Sequence, residues 1–433
     1  MSSATLYKSH IAARQHAAEA ALAAAGFDGM VIQAGMPFTY FADDQDAPFR
    51  TTPHFTHWVP LDGPHHLLHI RPGKRPLLVR VRPEDYWYEQ APLGNPFWLE
   101  AFEFHEVADL GKAWKLIQKS GRTAYIGDDP AGSGIAAEQC NPEALVKRLD
   151  WDRAYKTEYE IACLEQATIS GARGHAAARQ CFLEGGSELE IHHAFVEAVG
   201  CTDRELPYET IVALDDRGAI LHYCGKRTQR NGKVLLIDCG AKHNGYGSDI
   251  TRTWTSRSAD TLFQDLLHGM DQLQRELCEM VRPGLPYLAI HEAAHVKIAD
   301  LLHKHGILKV GGAQAVAEGL TGPFFPHGIG HFLGVQVHDV GGRQATPEGG
   351  VMPPPKSFPY LRTTRTIEAN QVFTIEPGVY FIEMLLRPFR GGSQAGMIDW
   401  KLVDRLASHG GIRIEDNVVA IPGGQKNLTR PHI

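Results

Sequence analysis

Two strand-like stretches far apart in the chain, VLLIDCG at 234–240 and VFTIEPG at 372–378, share the pattern Val-x-x-Ile-acid-x-Gly. An acid at the end of an apolar run is costly to bury unless it is paired or bound to a cation. Two acids in equivalent places, Asp238 and Glu376, therefore predict two related half-domains facing one site. Asp249 follows Asp238 after CGAKHNGYGS, in which Asn244-Gly245 is a hairpin signal. A four-residue loop, Lys242 to Gly245, would set Asp238 directly opposite Asp249, and a two-residue turn at Asn244-Gly245 would make them diagonal. In both registers the carboxylates emerge on one face of the sheet, because side chains alternate with period two. Like charges so placed are unfavourable without a cation between them. The same parity puts Arg413 and Glu415 together in GIRIEDN.

The stretch PHGIGHFLGVQVHD, residues 326–339, adds three histidines and three glycines within fourteen positions. No cysteine or further histidine stands at ligand spacing around it, which excludes a zinc finger. Glycine lets a backbone approach an ion closely. Four carboxylates and one imidazole suit hard or borderline divalent ions, with Mn²⁺ a natural occupant and Co²⁺ or Zn²⁺ able to substitute. Bridging acids commonly hold two ions that share a water and lower its pKa.

At 433 residues, two domains are the default. Residues 1–150 alternate helical segments with β-prone runs such as DGMVIQAG, RPLLVRVR and RTAYIGDD, and predict an α/β domain without a catalytic constellation. The aromatic, acidic stretch 41–61 lacks periodicity and reads as a packed loop or as a contact segment for a partner subunit or a substrate pocket. Thr157 followed by Glu160 is a capping-box pattern, which predicts that a second domain, 151–433, opens with the helix beginning there. SELEIHHAFVEAVG and the segments near 258–281 and 286–304 predict further helices, and YETIVAL, NQVFTIEPGVYFI and GIRIEDNVVAI predict strands. A net charge of −7 without a dense basic run makes nucleic acid and anionic membranes poor partners. Seven scattered cysteines without a C-x-x-C suit reduced thiols in a cytoplasmic protein.

LIDCGAKHNGYGSDITRT, PHGIGHFLGVQVHD, TIEPGVYF and IRIEDN together resemble the metal-dependent pita-bread peptidases, and among these the Xaa-Pro dipeptidases, or prolidases. The resemblance covers about residues 153–433, and DDQDAPFRTTPHFTHWVP resembles the bacterial prolidases that also hydrolyse organophosphorus esters. It implies an α+β pita-bread catalytic domain behind the α/β N-terminal domain, and a homodimer whose N-terminal domains contribute dimerisation and pocket closure. It further implies two divalent ions per subunit held by Asp238, Asp249, His331, Glu376 and Glu415, with Asp249 and Glu415 bridging. Glu376 would also be the general base beside a metal-bridging hydroxide. His327 and His338 would bind substrate and the tetrahedral intermediate, and His222, Arg362 and Arg413 would anchor a dipeptide's carboxylate. Tyr208 would line a small pocket; Trp87 reads as ordinary packing. Gly225 stands where some relatives carry a second histidine.

These features predict hydrolysis of Xaa-Pro dipeptides, with organophosphorus esters as side substrates. An Xaa-Pro aminopeptidase on longer peptides and a non-catalytic pita-bread binding module are the competing readings. All five ligand positions are filled, which argues against the module.

Overall fold

The computed structural model describes residues 2–433, which divide into two compact units. The first comprises residues 2–160 with a return at 344–350, and the second the remainder. The boundary falls about ten residues beyond the expected 150. The helix Glu158–Leu183 is capped as the sequence indicates, the Thr157 amide donating to Glu160 Oε2 at 2.8 Å. That carboxylate also lies 3.1 Å from His57 Nε2 and 3.7 Å from His10 Nδ1, so the helix start is tied into the first unit.

The first unit carries a five-stranded sheet made of β1 (Gly29–Gln33), β2 (Leu67–Ile70), β3 (Leu77–Val81), β4 (Glu103–Val107) and β5 (Thr123–Ile126), in the order β4-β3-β2-β1-β5. Pairs β1/β5 and β3/β4 run parallel, the two between them antiparallel. Val31, Leu67, Leu77, Val79, Tyr125 and Trp114 form the core on one face. The stretch 41–61 splits in two. Phe55, Trp58 and Val59 are buried around the short helix Pro53–Thr56, whereas Phe41 is fully exposed. Trp87 is also exposed rather than packed.

The second unit contains two antiparallel half-sheets. In the first, β7 (Val234–Asp238) lies between β6 (Ile211–Leu214) and β10 (Thr251–Thr255). The hairpin strands β8 (Lys242–His243) and β9 (Tyr246–Gly247) pair Lys242 with Gly247, so Asn244-Gly245 is the two-residue turn. Asp238 consequently faces Thr251, and Asp249 is diagonal to it. One face of this sheet, with Val212, Leu235 and Ile237, packs on Phe182, Ile191 and Phe195 of the helices Glu158–Leu183 and Glu188–Val199. Period-two alternation turns Leu236, and with it Asp238, to the other face, where Leu236 packs with Tyr380.

Past β11 (Gln344–Thr346) and β12 (Gly349–Val351), the second half-sheet orders β13 (Val372–Ile375), β16 (Asp416–Ile421) and β17 (Gly424–Asn427). Between them β14 (Gly378–Tyr380) pairs with β15 (Gly411–Arg413). The halves join where the Glu415 amide donates to Thr251 O at 3.0 Å. They are also stapled by Asp416, fully buried, which accepts from Arg252 and Arg430 at 2.7 Å each. The expected helices near 258–281 and 286–304 are Thr261–Glu279 and Tyr287–Lys304. Among the described residues, no helix is long and apolar enough to cross a membrane, and no two cysteines form a disulfide.

Candidate metal centre

Five residues from separate elements meet where the two half-sheets face each other. Asp238 closes β7, Asp249 precedes β10, Glu376 follows β13, and Glu415 lies between β15 and β16. His331 arrives on the glycine-rich stretch, which runs beside β13: the Thr374 amide donates to His331 O and the Glu376 amide to Ile329 O, at 3.0 and 2.8 Å. Gly330, at φ +155°, is required there, because a Cβ would collide with Thr374 O and the Tyr287 hydroxyl.

Donor atoms of Asp249, His331 and Glu415 all lie within 4.8 Å of one another, and the three residues are buried. His331 Nε2 is 3.3 Å from Asp249 Oδ2 and 3.7 Å from Glu376 Oε1. Its Nδ1 is 3.0 Å from Phe332 O. A carbonyl can only accept, so Nδ1 carries the proton and Nε2 is turned toward the acids. This is how a ligating histidine is commonly oriented by its outer partner.

The electrostatics need positive charge. Burial, then repulsion by Asp249, pushes Asp238 up to about 6. Burial takes Glu376 up to about 7, and burial followed by repulsion from Asp249, Glu376 and Asp238 holds Glu415 well above the usual carboxylate range. Asp249 stays below its ordinary value: burial opposes this, but the His331 hydrogen bond and charge prevail, and His331 is raised in return. Three reluctant carboxyls and one oriented imidazole fit divalent cations, whose charge would keep every acid ionised.

Several expected roles are revised by position. Arg413 is buried and engaged: its Nη2 donates to Asp238 Oδ2 at 2.7 Å, Nη1 to the Tyr380 hydroxyl at 2.9 Å, and Nε to Thr251 Oγ1 at 3.1 Å. Three of the five N–H groups of the guanidinium expected to be free for a substrate carboxylate are thus engaged by the protein. The reason is that Asp238 lies across from it with a spare oxygen. Tyr208 likewise donates to Asp238 Oδ1 at 2.8 Å, so it holds a candidate ligand. His327 Nδ1 lies 2.8 Å from Gly328 O and must donate to it, which leaves Nε2, 2.9 Å from the Tyr380 hydroxyl, as an acceptor. Burial keeps His327 neutral, at about 3. His338, His222 and Arg362 are exposed at the mouth of the site. The His338 ring stands edge-on to His331 at 4.4 Å; though open to solvent at one edge it is partly desolvated, and that desolvation, followed by the charges of His331 and Arg362, lowers its pKa to about 4.

Three residues that hold this site were absent from the sequence-based set. Tyr380 links His327 to Arg413, Thr251 donates to Glu415 Oε2 at 2.7 Å, and the Asn417 side chain accepts from the Asp249 amide at 3.4 Å. Strand parity was the available signal: Tyr380 is four residues past Glu376 and Thr251 two past Asp249.

Known proteins share this arrangement of domains. The sequence model of Metallopeptidase family M24 matches residues 162–421, and that of the Xaa-Pro dipeptidase N-terminal domain matches residues 5–151. The chain is 40% identical to the Xaa-Pro dipeptidase of Pseudoalteromonas atlantica over 99% of this chain and 98% of that one. It is 41% identical to the Xaa-Pro dipeptidase of Aeromonas hydrophila, covering 98% of each. Among solved structures, aminopeptidase PepP of Pseudomonas aeruginosa superposes with a TM-score of 0.74 at 22% identity, over 98% of this chain and 95% of that one. Aminopeptidase P from E. coli with the inhibitor Pro-Leu gives a TM-score of 0.71 at 21% identity, over the same shares. These likenesses establish the pita-bread fold of the second unit.

Proposed function

Since this chain belongs to Metallopeptidase family M24 and is a peptide hydrolase, we propose that it cleaves Xaa-Pro dipeptides with two divalent metal ions, Mn²⁺ foremost, in each subunit. The observation that carries the reading is the meeting of Asp238, Asp249, His331, Glu376 and Glu415, an oxygen-rich set with a single imidazole. Asp249 and Glu415, the two acids that share the compact donor cluster with His331, would hold the ions jointly. When bound, the ions supply Lewis-acid polarisation and make a water acidic enough to attack at neutral pH.

The side chains do the rest. Glu376, whose carboxylate lies 3.7 Å from His331 Nε2, accepts the proton of the attacking water and returns it to the prolyl nitrogen as the C–N bond breaks. That nitrogen belongs to a tertiary amide and has no N–H of its own, so this delivery is indispensable. His338 has no hydrogen-bond partner among the described residues and is the histidine with an N–H to offer the developing oxyanion. His327, fixed by Gly328 and Tyr380, shapes the wall against which substrate rests. Arg362 and His222 are assigned to the free carboxylate, and Arg413 to holding Asp238 in place. Tyr208 both orients Asp238 and limits the pocket beside it.

A water made nucleophilic in this way also attacks phosphorus, so organophosphorus esters are proposed as side substrates. The exposed aromatics Phe38, Phe41 and Trp87 of the first unit support assembly as a homodimer through that unit. The reading is tested by kcat/KM for a Xaa-Pro dipeptide against a Xaa-Pro-Xaa tripeptide. A dipeptide preference of tenfold or more supports it, and a tripeptide preference replaces it with aminopeptidase activity.

A further inference from the structure

The helix Tyr287–Lys304 contains His291-Glu292-Ala293-Ala294-His295, the H-E-x-x-H spacing by which a helix presents two imidazoles on one face to a metal ion. Both histidines are 2% exposed and line a cavity of about 340 Å³ whose walls also include Phe325, His327, Phe358 and Leu385. None of the five residues of the M24 centre lines this cavity. The two rings lie 4.7 Å apart, centre to centre, at 88°. A ring ligating at about 2.1 Å has its centre about 3.2 Å from the ion, so a 4.7 Å separation corresponds to a ligand–ion–ligand angle of roughly 95°.

The hydrogen bonding also leaves room for an ion. His295 Nδ1 is 2.8 Å from Thr321 Oγ1, a bond that fixes the ring and, with Nδ1 as donor, keeps the Nε2 lone pair free. His291 Nδ1 is buried and makes no hydrogen bond among the described residues. Buried imidazole nitrogens are rarely left so. Burial holds His291 at about 3 and His295 at about 4, so both rings are neutral and able to ligate at neutral pH. Glu292 points outward and is exposed, so this helix offers the two imidazoles without a general base.

We propose that His291 and His295 form a separate binding site for one borderline-soft divalent transition ion, of the Zn²⁺, Ni²⁺ or Cu²⁺ class, with water from the cavity completing its coordination. Hard ions are excluded by the donor set, since Mn²⁺ and Mg²⁺ want carboxylate or carbonyl oxygen and the pair offers nitrogen alone. The site therefore differs in metal preference from the oxygen-rich M24 centre. Because His327 lines the same cavity, an ion bound here sits beside a wall of the proposed substrate site.

The test uses the full-length chain saturated with Mn²⁺, dialysed against micromolar Ni²⁺ and analysed for both elements. The site predicts one Ni²⁺ per subunit above an unchanged Mn²⁺ content, with X-ray absorption at the nickel edge showing two imidazoles. The double variant His291→Gln, His295→Gln should bind Ni²⁺ at least tenfold more weakly while keeping its Mn²⁺, and Glu292→Gln should bind as the parent does. Should the double variant fail to fold, His295→Gln alone with the parent's absorption spectrum decides the matter. Nickel that displaces manganese one for one, nickel without imidazole scattering, or nickel retained by the glutamine variants would overturn the site.

Discussion

Removing the metal ions exposes what the carboxylate cluster costs the fold, and the cost depends on pH in a calculable direction. Asp238 rises from 3.8 to about 6 and Glu376 from 4.5 to about 7, burial being the main cause in each. Raised acids bind protons more tightly folded than unfolded, so folding is unpenalised below the unfolded values. The penalty builds as pH climbs through the folded ones, from about pH 4 to about pH 7. At about 1.4 kcal/mol per unit, the shifts amount to about 3 kcal/mol for each carboxyl in full. Roughly 4 kcal/mol of their sum falls between pH 5 and pH 8. Several buried histidines push the other way: His175, held at about 3, is destabilising only when acid must charge it. They are common to the metal-loaded and metal-free proteins, so they cancel in the difference between the two. Melting the chelator-treated and metal-loaded proteins in parallel should show their Tm gap widening from pH 5 to pH 8 by about 8 °C, at about 2 °C per kcal/mol. A gap that stays constant or narrows over this range would refute the account of a site strained by its own charge.

Other perturbations follow from the hydrogen bonds around the cluster. Arg413→Lys removes the fork that joins Asp238 to Tyr380, and kcat/KM should fall by about 10–100-fold, equally on a dipeptide and on its C-terminal amide. Arg362→Ala should instead weaken the dipeptide alone, read as a change in KM on the same pair of substrates. Tyr380→Phe leaves His327 Nε2 without its donor and should cost about 1–3 kcal/mol of transition-state stabilisation in kcat/KM, with metal content unchanged. Asp416→Ala removes the carboxylate that Arg252 and Arg430 share at the joint between the half-sheets and should destabilise the protein by about 3–5 kcal/mol in urea unfolding, with metal content measured alongside because Asp416 directly follows Glu415.

Much of this was legible in the chain because strand parity is strict. The matched acids of VLLIDCG and VFTIEPG marked the facing strand ends, and Asn244-Gly245 set the hairpin register that makes Asp238 and Asp249 diagonal. What parity cannot give is the partner across a gap between sheets. Arg413 was placed on the right face, but the competition for its guanidinium is decided by Asp238 and Tyr380, which come from elements 175 and 33 residues away. The same limit hid the Thr251 bond to Glu415. In the first unit, Phe55 and Trp58 entered the core from a stretch without periodicity, because a short helix led by Pro53 supplies their spacing over too few residues to register as a pattern. Glu160 caps the helix as its spacing from Thr157 predicts, while its second oxygen lies 3.1 Å from His57, a partner 103 residues away that no local pattern reveals.

The central claim is that Asp249 and Glu415 hold two ions jointly and that these ions serve a dipeptidase. It is tested most directly by elemental analysis of the purified parent, Asp249→Ala and Glu415→Ala proteins, paired with kcat/KM on a Xaa-Pro dipeptide. The account predicts two divalent ions per subunit in the parent, the loss of at least one in each variant, and a fall in turnover of at least a thousandfold in both. Full metal content with parental turnover in either variant would contradict it.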